Sequence, residues 1–306
     1  MVVQSVENAM TPRCANRAAG ARSVLAALCA ILSMTFGPHA LAQSCSSKPP
    51  NNVVIALDVG HVAGKPGDAC TRAAPCAWGA TSARGIPEYD FNLRLAGDIK
   101  QALVAAGYPR TLLFTTELRG VRGLWNRAAR ANAAHADIFF SIHHDAVRDR
   151  ALKKWEVDGA EHDHYDDARG FSLHVSRRLP MSLKLARLVS DELLKAGLNF
   201  TTHHEPAAGV GARVPYADAK RGIYWRDRLA VLNATSMPAV LLEAGVIVNR
   251  DEELLLAGEP HRQTIASAVV EAVRQFCRPA AAPASRAIKR DRAQVPPRGP
   301  AGTAPP

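Results

Sequence analysis

Apolar and polar residues follow two alternating patterns between about residues 51 and 277. Short runs of Val, Ile, Leu and Phe predict buried strands at 53–61, 111–117, 137–145, 171–176 and 239–246. Longer segments repeat apolar residues every three or four positions and predict helices at 88–106, 121–135, 181–196 and 252–276. This alternation predicts an α/β fold, a three-layer α/β/α sandwich with a mainly parallel sheet of about six strands.

Two segments interrupt the pattern of strands and helices. Residues 62–87 are rich in Gly and Pro and contain two cysteines, and residues 147–170 carry the mixed charged run "EVDGAEHDHYDDARG". We predict loops in both places. Because both follow a predicted strand, we expect them at the same end of the sheet.

The N-terminus has the layout of a secretory signal. Arg13, Arg17 and Arg22 precede the apolar run "VLAALCAILSMTF", and Ala40-Leu-Ala42 provides small residues for cleavage. We predict a signal peptide over 1–42 and an exported domain over 43–278, in the periplasm or secreted beyond it. The apolar run is short for a membrane span, so we expect no stable membrane insertion after cleavage. Lipidation of Cys45 is the alternative.

Four cysteines remain after the predicted cleavage: Cys45, Cys70, Cys76 and Cys277. An even number in an oxidising compartment indicates two disulfides. We favour Cys70–Cys76, which closes a short loop, and Cys45–Cys277, which ties the ends of the domain together. The other two pairings stay open. A zinc–cysteine site is the competing interpretation, but the chain contains no C-x2-C pair.

The formal net charge is +10, and part of it lies in the Pro-, Ala- and Arg-rich tail over 279–306. The tail lacks apolar periodicity, and we predict that it is disordered. A basic tail can lie on a membrane surface or on acidic cell-wall material, or it can simply be solvated. For an exported monomer we expect no nucleic-acid partner.

Candidate chemical groups stand where three predicted strands end. The first strand leads into His61, the third into His143, and the last contains Glu243. Since ligands of open α/β sheets bind beyond the carboxyl ends of the strands, we expect these side chains to converge. Glu88 adds a fourth group, because Pro87 before it marks a helix start near the same edge.

Two histidines and one carboxylate are a usual ligand set for catalytic Zn²⁺. A bound zinc ion lowers the pKa of its water from 15.7 to roughly 7, and a second carboxylate can then carry the proton. We therefore predict one Zn²⁺ held by His61, Glu88 and His143, with Glu243 as the catalytic base. Alone, His61, His143 and Glu88 have ordinary explanations, as hydrogen-bonded histidines or a first-turn acid, whereas an acid such as Glu243 is costly to bury without a partner.

The ordered set resembles the zinc-dependent N-acetylmuramoyl-L-alanine amidases of the family often called amidase-3. The resemblance lies in "IALDVGH", "GIPEYDFNLRLAGDIKQAL", "NRAARANAAHADIFFSIHHDA", "SLKLARLVSDELLKAGL" and "LAVLNATSMPAVLLEAGVIVNRDEE". It implies one α/β domain that binds one zinc, and cleavage of the amide between N-acetylmuramic acid and L-alanine in peptidoglycan. It also implies that His61, Glu88, His143 and Glu243 are the site residues.

Some regulated members of that family carry a large helical insertion that blocks the zinc site. The segment between the fourth and last predicted strands has no obvious room for one. We therefore expect activity without a separate release step.

Other polar residues have two explanations each. His144 stands where the family commonly has a small residue, and strand alternation predicts that it faces away from the metal or forms a hydrogen bond nearby. A ligand role for His144 in place of His143 is the alternative. His203, His204 and Glu205 are candidates for contact with substrate or with zinc-bound water. The run from His162 to Asp167 is a second metal candidate or a solvated loop, and Trp78, Trp155 and Trp225 are sugar-stacking candidates or packing residues.

Two rival functions remain open at this point. One is another exported zinc amidohydrolase or peptidase, although the chain lacks the H-E-x-x-H motif of helix-based zinc peptidases. The other is a non-catalytic cell-wall-binding protein on the same scaffold.

Overall fold

The computed structural model describes residues 45–64, 78–115, 120–205, 207–211 and 213–279. Three predictions lie outside these residues: the signal peptide, the Cys70–Cys76 pair and the basic tail after residue 279. The domain boundaries at 42 and 278 therefore stay predictions.

A seven-stranded sheet runs through the centre of the described chain in the order β2-β1-β3-β9-β6-β8-β7. Four neighbouring pairs are parallel, and β9 pairs with β6 and β8 with β7 in the antiparallel sense. This confirms the predicted mainly parallel sheet, with seven strands. The strands are β1 Ile55–Val59, β2 Thr111–Phe114, β3 Ile138–Asp145, β4 Lys153–Val157, β5 Ala160–His164, β6 Ser172–Val175, β7 Tyr216–Asp218, β8 Ile223–Trp225 and β9 Ala239–Val246.

Helices cover both faces of the sheet and give the predicted three layers. On one face α1, α3 and α6 pack on an apolar core that includes Ile55 and Leu57. The alternate residue Ala56 lies in the second core, on the side of α2 and α4. A strand buried on both faces is typical of such a sheet. The helices are α1 Glu88–Ala105, α2 Gly120–Ala133, α3 Pro180–Lys195, α4 Ala230–Ala234, α5 Glu252–Ala257 and α6 Glu259–Phe276.

The segment 147–170 was predicted as a loop, and this prediction is wrong for its middle. Strands β4 and β5 form an antiparallel hairpin there. The hairpin is largely exposed, so charged residues replace the apolar alternation that would have revealed it. Trp155 fixes the hairpin to the body of the protein: its indole N–H donates to the Ala83 carbonyl at 2.8 Å.

A disulfide joins Cys45 to Cys277, as predicted, and closes the two ends of the described domain. Cys45 is almost fully buried in the core between β1, α1 and α6. The disulfide takes up the Cys45 thiol, which would be the attachment point in the alternative of lipidation. None of the helices in the described ranges is both long and apolar enough to cross a membrane.

Candidate metal centre

His61, Glu88 and His143 meet at the carboxyl edge of the sheet. His61 Nε2 lies 3.1 Å from Glu88 Oε2, and His143 Nδ1 lies 3.0 Å from Glu88 Oε1. One nitrogen or oxygen from each residue lies within 4.8 Å of the others. Two imidazoles and a carboxylate at this spacing are a donor set that suits a divalent metal ion.

The topology explains why residues so far apart in sequence meet. Strands β1 and β3 are parallel neighbours, so the turn after β1 and the end of β3 lie at the same edge. His61 has a left-handed backbone with φ of 65°, and Arg127 donates to its carbonyl and, at 2.8 Å, to that of Val59. We attribute the position of this strained histidine to the buried Arg127.

Two glycines leave the space in which the ligand side chains sit. A Cβ atom on Gly60 would lie 2.5 Å from the His143 ring, and one on Gly79 would lie 2.6 Å from the His61 ring. Gly79 also has φ of 85°, which other residues rarely adopt. The backbone at Gly60 and Gly79 therefore passes close to the rings of His143 and His61, and we call the space that these two glycines leave the cradle.

Glu88 is the most constrained residue of the cluster. Its Oε1 accepts from the Asn92 side chain at 3.1 Å and from the His144 backbone N–H at 3.3 Å, and its Oε2 accepts from Ala80 N–H at 3.0 Å. Burial alone would raise the pKa of Glu88, but the neighbouring His61 and His143 hold it well below its usual range. Burial lowers the pKa of His143, although the hydrogen bond to the Glu88 carboxylate acts in the opposite direction. The cluster thus presents an ionised carboxylate and, at His143, a neutral imidazole.

His144 points to the other side, as predicted. Its Nδ1 lies 2.8 Å from Asn92 Oδ1, and its ring packs against Phe91. Burial lowers the pKa of His144 to about 3, so the ring is neutral at ordinary pH. His144 therefore orients Asn92, and Asn92 in turn donates to Glu88 and to the Gly60 carbonyl.

Glu243 lies beside the cluster on the neighbouring strand. It is paired with His143 across β3 and β9, and its Oε2 atom is buried without a hydrogen-bond partner in the described residues. Burial and the charges of Asp145 and Glu88 raise the pKa of Glu243 well above its usual range, and Arg226 only partly opposes this. An acid whose pKa is raised and whose carboxyl oxygen has no hydrogen-bond partner is suited to accept and hold a proton.

A second histidine cluster follows directly along β3. Asp145 Oδ2 lies 2.6 Å from His204 Nε2 and 3.4 Å from His203 Nε2, and these three residues also gather their ligand atoms within 4.8 Å. Burial would raise the pKa of Asp145, but His204 and His203 hold it well below its usual range. His203 and His204 were predicted as contacts of substrate or of zinc-bound water, not as a ligand cluster of their own.

The other candidates from the sequence have local partners. His164 pairs with Asp166 at 3.3 Å, and Asp163 pairs with Lys154 at 2.9 Å. Within the described ranges, only the two clusters above gather three possible metal ligands. The second metal candidate in the run from His162 to Asp167 is therefore not supported.

The three tryptophans that were candidates for sugar stacking have packing partners or are buried. The guanidinium groups of Arg84 and Arg250 each lie 5.2 Å from the centre of the Trp155 ring, and the guanidinium of Arg177 lies over the Trp225 ring. Trp78 is buried.

Several supporting residues were not predicted from the sequence. Asn92 stands four positions after Glu88 on α1, a spacing that places two side chains on one helix face, so the signal was present. The hydrogen bond from Arg127 to the His61 carbonyl left no recognisable pattern in the sequence. The same holds for Gly79 and for His174, whose ring contacts His204.

Comparison with known proteins points to one family. A sequence profile of the Amidase_3 family, N-acetylmuramoyl-L-alanine amidases, matches residues 55–275. The chain is 27% identical over 270 residues to the N-acetylmuramoyl-L-alanine amidase AmiC of Neisseria meningitidis, covering 77% of this chain and 56% of the relative. It is 25% identical over 255 residues to an N-acetylmuramoyl-L-alanine amidase of Mycobacterium tuberculosis, covering 77% of this chain and 92% of the relative. The chain thus spans little more than half the length of the Neisseria protein.

Solved structures share the fold. The amidase Ami1 of Mycobacterium smegmatis superposes with a TM-score of 0.55 at 22% identity, covering 74% of this chain and 97% of that chain. Ami1 of Mycobacterium abscessus in its apo form gives 0.54 at 23% identity, covering 74% and 98%.

Proposed function

The chain belongs to the Amidase_3 family of N-acetylmuramoyl-L-alanine amidases, and from this premise we propose that it hydrolyses the amide bond between N-acetylmuramic acid and L-alanine in peptidoglycan. The profile match covers the stretch that contains all four predicted site residues. The substrate is the polymer of the cell wall, which suits an exported protein. Export to the periplasm, or secretion beyond it, remains part of this proposal.

We propose that His61, Glu88 and His143 hold one Zn²⁺. The residue types and their arrangement fit the ion. Three hydrogen bonds fix the Glu88 carboxylate, and the His61 and His143 rings each contact a different oxygen of that carboxylate. A bound zinc ion supplies Lewis acidity, which polarises the amide carbonyl and acidifies water. The chain's contribution is to fix the ligand geometry through Asn92, His144 and Arg127.

Glu243 is the proposed general base. Its Oε2 atom has no other hydrogen-bond partner in the described chain, so it is free to take a proton from the attacking water. The same oxygen can then deliver that proton to the leaving amine of L-alanine, since an amine leaves only when protonated. A divalent cation held by His61, Glu88 and His143 would counter the negative charges of Asp145 and Glu88, which raise the pKa of Glu243. Glu243 could then both take up and release a proton.

The observation that carries this proposal is the pairing of His143 with Glu243 across β3 and β9 beside the three-residue cluster. A non-catalytic wall-binding protein would not need an unpartnered buried acid at this position, because such a group costs stability. A peptidase remains the alternative within the same chemistry.

We also propose that the chain acts without an activator. The described part of the segment between β6 and β9 holds α3, β7, β8 and the five-residue α4. Helix α3 is its one long helix and packs with α6 over the sheet, so it is part of the fold. Turnover by the purified chain alone is expected, and turnover only after addition of a second protein would contradict this point.

The test is a digest of purified peptidoglycan by the chain over 43–306, with and without a zinc chelator, read by mass spectrometry. We expect free stem peptides that begin at L-alanine, intact sugar strands, and loss of release on chelation. Cuts inside the peptide would make the protein a peptidase. A zinc-containing chain that binds peptidoglycan and releases nothing would favour the wall-binding alternative.

A further inference from the structure

We propose that Asp145, His203 and His204 form a second divalent-cation site, separate from the cluster of His61, Glu88 and His143. The donor set is again two imidazoles and one carboxylate, of the kind that binds Zn²⁺. The proposal does not depend on the amidase activity. It concerns only what the chain binds.

The geometry of the second cluster is close to that of the first. In the first cluster the nitrogen–oxygen distances are 3.1 and 3.0 Å, each to a different oxygen of Glu88, and in the second they are 3.4 and 2.6 Å, both to Asp145 Oδ2. Ligand atoms of a tetrahedral zinc site lie about 3.3 Å apart, given bonds of about 2.0–2.1 Å. The distance from His203 to Asp145 already fits, and the distance from His204 to Asp145 needs to open by a fraction of an ångström.

Hydrogen bonds do not account for all the polar atoms of this cluster. His203 Nε2 and His204 Nδ1 are buried and have no hydrogen-bond partner in the described residues. The ring centre of the neighbouring His174 lies 5.3 Å from that of His204, and its buried Nδ1 atom also has no hydrogen-bond partner in the described residues. Two imidazoles face one carboxylate and a third packs against them, so the cluster holds more nitrogens than that carboxylate can serve. A cation at the point where the two Nε2 atoms and Asp145 Oδ2 converge would give His203 Nε2 a partner.

The His203 ring is held by a hydrogen bond at its Nδ1 atom, on the side away from Asp145, as metal-bound histidines usually are. The Nδ1 atom of His203 lies 2.8 Å from the Thr201 hydroxyl, which fixes the direction of its Nε2 toward Asp145. The His203 main chain is also held, because Gly211 N–H donates to its carbonyl at 3.0 Å. The cluster is therefore already organised before an ion binds.

A route from solvent to the cluster exists even though its histidines are buried. His203 lines an open cavity of about 370 Å³ together with Thr201, Arg169 and Tyr165. A hydrated ion can reach His203 from this side. Once bound, it would tie the segment after β6 and α3 to the end of β3, two residues beyond His143.

Zinc stoichiometry of the purified chain tests the proposal. After equilibrium dialysis against buffered Zn²⁺ and removal of free ion, elemental analysis should find two equivalents per chain in the unaltered protein. His61→Ala removes a ligand of the first cluster only, and its partly exposed side chain leaves no buried cavity. This variant should keep one equivalent, and the combination of His61→Ala with His203→Asn should keep none.

A matched control separates the site from general damage. His164 is a buried histidine that pairs with Asp166, outside both clusters. His61→Ala combined with His164→Asn should keep the same single equivalent as His61→Ala alone. The proposal is overturned if His61→Ala binds no zinc, or if His203→Asn does not remove the equivalent that His61→Ala retains. In either case the cluster is a hydrogen-bonded His–Asp–His group.

Discussion

His143 and Glu243 stand directly opposite each other on adjacent parallel strands, as Cα partners in the register of β3 and β9. Residues paired in this way project their side chains to the same face of a sheet. A metal-ligand candidate and an acid with a raised pKa are thereby fixed side by side by backbone hydrogen bonds. Parallel pairing also brings His61 to this edge, since β1 lies on the other side of β3.

The first prediction concerns Glu243→Gln. The amide keeps the size of the side chain but cannot accept and return a proton, so we expect peptidoglycan hydrolysis to fall by roughly 10²–10⁴-fold. Zinc content should stay unchanged, because Glu243 is not among the proposed ligands. The measurement pairs product release with elemental analysis of the same sample.

Glu252→Gln is the control for that experiment. Glu252 is also buried and accepts only backbone N–H groups, from Gly170 and Val246, which an amide oxygen can still serve. Turnover should survive this change. Full hydrolysis by Glu243→Gln would mean that another group carries the proton.

Stability of the metal-free chain should depend on pH through Glu243. Its pKa in the fold is raised above the unfolded value of about 4.3, so the fold favours the protonated form. The resulting stabilisation is complete below that value and is lost as the pH rises through the folded pKa. Glu243→Gln should therefore become more stable relative to the unaltered chain as pH rises, by up to about 1.4 kcal/mol per unit of pKa difference.

Urea unfolding in the presence of a chelator, at a series of pH values, measures this effect. Glu156→Gln, on the exposed hairpin, is a suitable control and should leave the pH dependence as it is. A stability difference between Glu243→Gln and the unaltered chain that is constant with pH would show that Glu243 does not titrate abnormally.

Asn92→Ala should weaken zinc binding without removing a ligand. Asn92 donates to Glu88 Oε1 and to the Gly60 carbonyl, and so holds the carboxylate in place. Loss of such a supporting contact typically costs 10–100-fold in metal affinity. Competition with a chelator of known affinity gives the number.

Asn132→Ala is the matched control for Asn92→Ala. Asn132 also makes several hydrogen bonds through its side chain, but to Ala234 and Ser236, away from the cluster. Its loss should leave zinc affinity unchanged. Equal losses from both variants would assign the effect to general destabilisation.

Gly79→Ala should disrupt the cradle directly. The added Cβ would lie 2.6 Å from the His61 ring, at a backbone with φ of 85°. We expect zinc affinity to fall by about tenfold or more. Gly97→Ala, inside α1 with nothing within 4 Å of the new Cβ, should bind zinc normally and be stabilised by about 0.5–1 kcal/mol.

Removal of the Cys45–Cys277 disulfide should destabilise the domain. The bridge joins residues 232 positions apart, and loss of a long-range disulfide typically costs about 2–5 kcal/mol. Thermal unfolding of a Cys45→Ala, Cys277→Ala variant measures this loss. Any response of that variant to reductant would belong to Cys70 and Cys76, whereas an unchanged unfolding temperature would show that the bridge contributes little.

The sequence predicted the core elements well because each one is long and strongly periodic. Strands β1, β3 and β9 are buried on both faces and read as continuous apolar runs. Strands β7 and β8 were missed because each has only three residues, too few to show the alternation of apolar and polar positions that identifies a strand. The hairpin of β4 and β5 was missed because its exposed faces are charged.

The same limit applies to the site. His61, Glu88, His143 and Glu243 were expected to meet because the ends of parallel strands share one edge. The contacts of Arg127 with His61 and of Asp145 with His203 and His204 arise from loop conformations. No local pattern in the sequence encodes those conformations.

Hydrolysis of a defined muramyl peptide in water enriched in the heavy oxygen isotope tests the central claim most directly. The account predicts that the label appears in the lactyl carboxylate of N-acetylmuramic acid, and that the released peptide begins with an unlabelled L-alanine amine. Label in a new carboxylate within the peptide, or in a sugar hydroxyl, would contradict it.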